Sequence, residues 1–316
     1  MRAPYVFIAN DGSDLRANGL AGRLRRRGAM VATAPLAAIA FDSDRPHGLA
    51  IPGFEHRLPD AVLVRSVAAG SFEAVTRRLG ILHALSRLGV PVWNSAQAIE
   101  RCVDKSMTTF LMKTAGLPTP ATFVVEGRAA AEKIATRELA HGPLVLKPLF
   151  GAQGRGIRLI RNVEDLPGED QVNGVYYLQR YVPRDGPPFR DFRVFVCAGR
   201  AVAMMSRRGA DWITNVNRGA VPEPIPGQHE GELAGLAIRA ADAVGADFAG
   251  VDIVPAQDGS FSLLEVNSMP AWSGLQSVVA VNIADSIAEA LLAFLSDRAA
   301  SAEPPRPYRL AVPANS

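Results

Sequence analysis

The chain is poor in the features that mark secreted, membrane and nucleic-acid-binding proteins. It has only two cysteines in 316 residues, Cys102 and Cys197, so we expect two buried free thiols and no disulfide framework. No apolar run reaches transmembrane length, and the first residues lack the apolar core of a signal peptide. A net charge of +3 is too close to neutral to favour nucleic acid or a membrane surface as partner. We therefore predict a cytoplasmic protein with no nucleic-acid or membrane partner.

Two common nucleotide-binding motifs are also missing. The glycine-rich segment LVLKPLFGAQGRGI begins at Leu144 and has no Gly-Lys-Ser/Thr after its glycines, which excludes a P-loop. It leads into another apolar stretch, 157–160, and not into a helix, which excludes the Rossmann fingerprint. What remains is a short predicted strand, 144–146, that ends in Lys147 and opens into a flexible loop.

This loop has the composition of a phosphate-binding element. Its glycines are Gly151, Gly154 and Gly156. Glycines without a Cβ let backbone N–H groups approach phosphate oxygens, and Lys147 would add a point charge. A plain β-hairpin explains the glycines equally well, so the phosphate interpretation depends on what lies downstream.

Downstream, the segment VDIVPAQDGSFSLLEVNSMP predicts a β-hairpin with an oxygen-rich cluster. Its apolar strands are 249–254 and 261–266. Glu265 and Asn267 are two residues apart and project from one face of their strand, where Asp252 of the partner strand can join them. Carboxylate and amide oxygens suit Mg²⁺ or Mn²⁺, which keep waters and phosphate oxygens as further ligands. The alternative is a polar hairpin end with solvated carboxylates.

Six motifs follow one another along the chain: KPLFGAQGRGI, YLQRYVP, DFRVFV, TNVNRGA, GVDI and LLEVNSMPAWSGL. In order and spacing they resemble the ATP-grasp carboxylate–amine ligases, most of all the RimK-like glutamate ligase branch, and the resemblance runs from about Trp93 to Leu295. The resemblance implies an α/β class with α+β lobes, that is, an ATP-grasp fold preceded by an N-terminal parallel-sheet domain. It also implies ATP and Mg²⁺ (or Mn²⁺) as cofactors.

The resemblance assigns a role to each matching position. The nucleotide-binding positions would be Lys105, Lys147, Gly151, Gly154, Gly156, Gln179, Arg180, Tyr181, Val182, Asp191, Thr214 and Asn215. The metal ligands would be Asp252, Glu265 and Asn267. Residues 179–182 would form the hinge whose backbone binds adenine. Arg180 stands where the family usually has Glu, which puts a side-chain contact to the nucleotide in doubt at that position.

The implied reaction has two steps. A carboxylate attacks the γ-phosphate of ATP to give an acyl phosphate and ADP, and an amine then attacks the acyl carbon and expels phosphate. The implied catalytic residues, Arg193, Arg207 and Arg218, would offset charge on the phosphoryl group and the tetrahedral intermediate. From the residues alone, a cross-strand salt bridge on a solvated sheet is the better account of Arg193.

Strands and helices alternate before residue 94, which predicts a parallel, helix-covered sheet. The predicted elements are strands at 5–9, 29–34, 61–64 and 90–93, with helices at 12–28 and 71–89. Basic residues 23–27 are expected on the solvated face of the first helix. Asn10–Asp14 and Arg65-Ser66 follow strand ends, where ligands usually bind, so they are candidates for the acceptor site. Helix capping is an equally good account of them.

The remaining chain is expected to form the two lobes of the grasp module. Predicted segments are an N-terminal domain over 1–94, a small lobe with linker helices over 95–178, a large lobe with the metal hairpin over 179–298 and a mobile tail over 299–316. Helices are expected at 231–244 and 283–295.

The acceptor is the least determined part of the function. Trp272 could stack on a flat acceptor such as a pterin, or simply pack beneath its loop. Resemblance to ligases linked to tetrahydromethanopterin or methanofuran biosynthesis implies small-molecule acceptor and amino-acid substrates, with glutamate added to a C1 carrier. Glutamylation of a protein or peptide tail, an ATP-binding regulator, a basic module on ribosomes or RNA, and a homo-oligomer stay open.

Overall fold

The computed structural model describes residues 2–12, 14, 16–151 and 154–301. Its N-terminal sheet contains the strands β1 (Tyr5–Ala9), β2 (Met30–Ala34), β5 (Ala61–Val64) and β6 (Val92–Trp93). They are all parallel, in the order β2-β1-β5-β6. A two-stranded ribbon, β3 (Ala40–Phe41) and β4 (Leu49–Ala50), lies between β2 and β5 in the chain. The predicted parallel sheet is confirmed.

Both faces of this sheet are covered because its strands alternate between two apolar clusters. Val6 and Ile8 of β1 face the cluster of helix α1 (Arg16–Arg26), and Phe7 faces that of α2 (Phe72–Arg87). The first helix was predicted over 12–28, but it begins at Arg16, where the Asp14 carboxylate accepts the backbone N–H of Arg16 at 3.1 Å.

The basic cluster of α1 is not a purely solvated face. Arg23 pairs with Asp285, and Arg27 pairs with Asp285 at 2.6 Å and Glu289 at 2.5 Å. Both acids lie on α8 (Ile283–Ser301). Residues 25–27 are exposed, as predicted for a solvated face, and the ion pairs of Arg23 and Arg27 also join the two ends of the described chain.

The second sheet follows two linker helices, α3 (Ala96–Val103) and α4 (Lys105–Thr114). Its strands are β7 (Thr122–Glu126), β8 (Leu144–Lys147), β9 (Arg158–Ile160) and β10 (Val175–Arg180). They pair antiparallel in the order β7-β10-β8-β9, and α5 (Arg128–Glu138) packs on one face.

The third sheet is antiparallel, in the order β13-β12-β11-β14-β15. Its strands are β11 (Phe189–Cys197), β12 (Arg200–Gly209), β13 (Val221–Glu223), β14 (Phe248–Pro255) and β15 (Phe261–Asn267). Helix α6 (Glu230–Val244) covers one face, and α8, which also packs against α1, lies on the other. A short helix, α7 (Ser273–Gln276), follows β15.

Helix α8 extends to Ser301 and not to residue 295, so residues 299–301 are helical although the tail was predicted to start at 299. The rest of the predicted mobile tail, 302–316, lies outside the described residues. Within the described chain, none of the helices has the length and apolarity needed to cross a membrane. Cys102 and Cys197 are buried free thiols, as predicted.

Candidate active site

An open cleft lies between the second and third sheets. Fourteen of the eighteen predicted site residues line it: Lys105, Lys147, Gly151, Gly154, Gln179, Arg180, Tyr181, Val182, Asp191, Arg207, Thr214, Asn215, Asp252 and Glu265. The other four, Gly156, Arg193, Arg218 and Asn267, are not among the lining residues. The sequence motifs therefore converge on one place although they are spread over 160 residues (Lys105 to Glu265).

The register of the β14–β15 hairpin pairs Asp252 with Glu265 and leaves Asn267 two residues further along the same strand. Asp252 is directly opposite Glu265, and Gly250 is opposite Asn267. The register shifts after Asp252, so Leu264 is the extra residue of a β-bulge. A bulge bends its strand and re-aims side chains, and here it lies beside the two carboxylates.

Asp252 is held by two arginines from neighbouring strands. Arg193 donates from Nε and Nη2 to the two carboxylate oxygens at 2.7 and 2.6 Å, and Arg207 reaches Oδ1 at 3.1 Å. Arg207 also makes two bonds of 2.7 Å to Asp191. Burial alone would raise the pKa of Asp252, but the two guanidinium groups hold it below its usual range. The cross-strand pair considered for Arg193 is thus present, though buried and made with Asp252.

Glu265 has the opposite environment. Its half-buried carboxylate makes no hydrogen bond or ion pair with a residue in the described part of the chain. Its charge acts at a distance on Lys105 and Lys147, where it opposes the effect of burial on their pKa values. A carboxylate that lines a cleft without a cationic partner is available to a ligand.

The donor set fits a hard divalent cation. Two carboxylates and the Asn267 amide supply only oxygen ligands. No group of three or more His, Cys, Asp or Glu among the described residues could hold a metal. A cation at Asp252 and Glu265 would therefore need Asn267 and oxygens from a bound substrate, as the sequence predicts for a nucleotide-associated Mg²⁺.

Lys147 ends β8 inside the cleft and is 9% exposed. Its ammonium donates to the Gln179 amide oxygen at 2.7 Å, and the Gln179 amide nitrogen donates to Thr122 at 2.9 Å. Burial lowers the pKa of Lys147 to about 8, against the pull of Glu265. Sequence reasoning placed only the backbone of Gln179 in the site. Its side chain, which orients Lys147, was missed, although the alternation of Tyr177 and Gln179 along β10 put both on one face.

Lys105 is the first residue of α4 because Asp104 caps that helix, accepting from the N–H groups of Ser106 and Met107. Its ammonium donates to the carbonyl oxygens of Leu149 at 3.3 Å and Gly151 at 2.8 Å, which ties the helix to the glycine loop. Burial lowers the pKa of Lys105.

Two glycines of this loop are required by the backbone. Gly154 and Gly156 have φ of +69° and +72°, and a Cβ on Gly156 would come within 2.8 Å of Pro148. The loop residues 152 and 153 lie outside the described residues.

The hinge leaves one backbone donor available. The N–H groups of Arg180 and Tyr181 donate to Ala121 at 2.8 Å and Pro143 at 2.9 Å, whereas that of Val182 donates to no group in the described chain. The Arg180 guanidinium donates from Nε and Nη2 to Oε2 of Glu138, at 2.8 and 2.7 Å. The unusual arginine thus has a structural partner on α5, and, within the described chain, only the Val182 N–H of the three is available for recognition.

The turn after β12 borders the cleft from the third sheet. Thr214 is buried and hydrogen-bonds Asp191, and the Asn215 side chain accepts the N–H of Asn217 at 2.9 Å. Arg218 follows on a half-exposed turn, 3.4 Å from Asp211.

The hypothesis that Trp272 is an exposed stacking platform is wrong. Trp272 is 5% exposed and packs edge-on against Phe195, with ring centroids 5.9 Å apart. The Arg65 guanidinium covers its ring at 4.3 Å. Arg65 itself donates to Asp14, and the Ser66 hydroxyl donates to Asn10 and Asp11, so these candidate acceptor residues bond to one another. Ser13, within the predicted segment Asn10–Asp14, lies outside the described residues.

Comparison with solved structures assigns the fold. The chain matches the structure of the ATP-grasp ligase PsnB complexed with minimal precursor, with a TM-score of 0.70, 21% identity and coverage of 93% of this chain and 99% of that one. The fold is that of the ATP-grasp ligases.

The sequence comparisons then give the family. A model of the RimK-like ATP-grasp domain matches residues 102–291, so the chain belongs to the RimK-like ATP-grasp family. It is 34% identical over 66% of its length, and 71% of the relative, to a tetrahydromethanopterin:alpha-L-glutamate ligase of Methanococcus maripaludis. It is 33% identical to the ligase of that name from Methanosarcina acetivorans, over 73% of this chain and 79% of the relative. The protein is a ligase that forms carbon–nitrogen bonds.

Proposed function

We propose that the enzyme uses Mg²⁺-ATP to attach glutamate, or a similar amino acid, to a small cofactor of the tetrahydromethanopterin type. Two relatives named for that reaction support the acceptor and the amino acid. The observation that most supports the ATP chemistry is the cleft itself, where Lys105 and Lys147 face the carboxylate hairpin across the glycine loop. Free cysteines agree with a reducing cytosol as its location.

The nucleotide would lie along the second sheet. The Val182 N–H is the hinge donor available to an adenine nitrogen. Lys147, oriented by Gln179, and Lys105, bound to the loop carbonyls, would meet the phosphates. Because both ammonium groups are already fixed by hydrogen bonds, little side-chain entropy remains to be lost when the triphosphate binds.

Asp252, Glu265 and Asn267 would hold Mg²⁺, which supplies neutralisation of phosphate charge when bound. Arg193 and Arg207 meet at Asp252, and Arg218 lies on the neighbouring turn, so positive charge surrounds the expected position of the transferring phosphoryl group. In the first step a carboxylate oxygen bonds to the γ-phosphorus and the bond to ADP breaks. In the second, the amine nitrogen bonds to the acyl carbon and loses its proton, and phosphate leaves.

The test is ADP release with Mg²⁺-ATP and glutamate across three acceptor groups: reduced pterins, methanofuran-like amines and peptides ending in glutamate. We expect release with a reduced pterin and a product heavier by one amide-linked glutamate. The matched control is Glu265→Gln, which we expect to bind nucleotide weakly with Mg²⁺ and to release no ADP.

Turnover with the peptides alone would contradict the cofactor proposal and favour glutamylation of a peptide tail. Nucleotide binding without turnover on any acceptor would contradict it in favour of an ATP-binding regulator.

A further inference from the structure

The segment Ser268–Ser273 continues directly from the metal-ligand end of β15, yet it is held by the N-terminal sheet. Arg65, at the carboxyl end of β5, donates from Nη2 to the carbonyl oxygen of Pro270 at 2.9 Å. Its guanidinium also lies over Trp272, 4.3 Å from the ring centroid. Arg65 also donates from Nε and Nη2 to one carboxylate oxygen of Asp14, at 2.9 and 2.7 Å, and these bonds fix its orientation. One buried cation thus sets the position of both Pro270 and Trp272.

Two further anchors come from the N-terminal part of the chain. The fully buried Asn94 donates to the carbonyl of Ser268 at 2.5 Å and to that of Phe248 at 2.8 Å. Arg16 donates to the Ser273 hydroxyl at 2.8 Å. The segment is therefore bound at its beginning, middle and end by residues outside the third sheet.

The other side of the segment lies against residues that neighbour the proposed catalytic arginines. Pro270 packs on Gly250 of β14 so closely that a Cβ on Gly250 would lie 2.9 Å from the Pro270 Cβ and 3.8 Å from the Arg193 Cδ. Gly274, just after the segment, contacts Val216 in the turn that carries Arg218, since a Cβ there would lie 3.4 Å from a Val216 methyl. Movement of the segment would therefore displace Arg193 and the Arg218 turn.

Packing alone does not account for an arginine at this position. The Arg65 side chain is 1% exposed, and its Nη1 has no hydrogen-bond partner among the described residues. A buried donor without a partner costs free energy, and hydrophobic residues can replace a buried ion pair without loss of stability. The guanidinium supplies directional hydrogen bonds, because its planar group donates to Asp14 and to the Pro270 carbonyl at defined angles.

We propose that Arg65 is a positioning residue for the ligase reaction. It fixes the Ser268–Ser273 segment, and through Pro270 and Trp272 it orients Arg193 and the Arg218 turn. It does not line the cleft and does not touch the nucleotide. The inference rests on the roles proposed above for Arg193 and Arg218.

The kinetic test compares Arg65→Met and Arg65→Lys with Arg23→Met, which breaks another interelement ion pair of the N-terminal region. We expect Arg65→Met to lower kcat about ten- to a hundred-fold, the scale for misplacement of about 1 Å, with the KM for ATP unchanged. Arg65→Lys keeps the charge but loses the planar fork, so it should not restore the wild-type kcat, and Arg23→Met should keep the wild-type kcat. Gly250→Ala, which pushes Pro270 from the other side, should reproduce the loss in a chain with Arg65 intact.

A second readout needs no acceptor, so it decides the inference even if the proposed substrates fail. Hydrogen exchange of peptides covering 249–253 and 268–276 should be faster in Arg65→Met than in the wild type and unchanged in Arg23→Met. Equal exchange in all three proteins would overturn the positioning role. So would a loss in Arg65→Met that appears only as a raised KM for ATP, or an equal loss of kcat in Arg23→Met.

Discussion

Neutralising the two proposed metal-ligand carboxylates should have different effects on the stability of the protein. Asp252 accepts three guanidinium contacts from Arg193 and Arg207, whereas Glu265 has no partner in the described chain. Breaking a buried ion pair by removing one partner costs about 3–5 kcal/mol. Because Arg207 keeps Asp191, we expect Asp252→Asn to lie at the lower end, about 3 kcal/mol. Glu265→Gln removes no contact and should stay within about 1 kcal/mol of the wild type.

The assay is thermal unfolding without nucleotide, alongside calorimetric binding of an ATP analogue with and without Mg²⁺. At about 2–4 °C per kcal/mol, Asp252→Asn should unfold about 6–12 °C lower and Glu265→Gln within about 4 °C. Both variants should lose the Mg²⁺-dependent part of nucleotide binding. Asp211→Asn, which affects an exposed pair with Arg218 and a 3.4 Å contact from the Ile213 N–H, is the stability control.

Equal unfolding temperatures for the two variants would refute the reasoning, because the arginines around Asp252 would then be energetically independent of it. Retained Mg²⁺-dependent binding in Glu265→Gln would instead remove Glu265 from the metal site.

Three further predictions concern single residues of the cleft and its surroundings. Lys147→Met should weaken ATP binding at least about ten-fold by calorimetry, through loss of a charge-assisted contact. The pKa of Lys147, about 8 when folded, lies below its ordinary value, so its buried charge opposes folding below pH 8. That penalty fades as the pH rises from 8 to about 10.4, the ordinary pKa of a lysine. In chemical unfolding, Lys147→Met should therefore be more stable than the wild type at pH 8, and the difference in unfolding free energy should shrink towards about pH 10.4. Trp272→Ala should destabilise the protein by about 3–5 kcal/mol in the same measurement, because the ring is buried in a core cluster.

Local patterns predicted the elements that hold the site. The two-residue spacing of Glu265 and Asn267 fixed their common face, and the hairpin register then placed Asp252 opposite Glu265. The lysine at the end of β8 was equally visible, because an apolar run stops at Pro148. These predictions depend on a few neighbouring residues, so no tertiary information was needed.

Contacts between distant segments were not visible in the same way. Trp272 is a large aromatic residue in a loop between Ala271 and Ser273, and local sequence does not say whether a loop packs inward. Its burial depends on Arg65, which lies far earlier in the chain, and on Phe195. The pairing of Arg27 with α8 likewise joins residues 262 apart.

The position of Arg193 shows why residue chemistry alone could not settle its role. Alternation along β11 put Asp191 and Arg193 on one face, which made a pair between strands plausible without naming the partner. The partner is Asp252 because β11 lies between β12 and β14, which brings Arg207 and Asp252 to its two sides. A carboxylate offers about four lone-pair sites, and the arginines occupy three of those on Asp252. Asp252 can therefore bind both arginines and still offer an oxygen to a cation. This combination depends on the strand order of the sheet, which no local sequence pattern encodes.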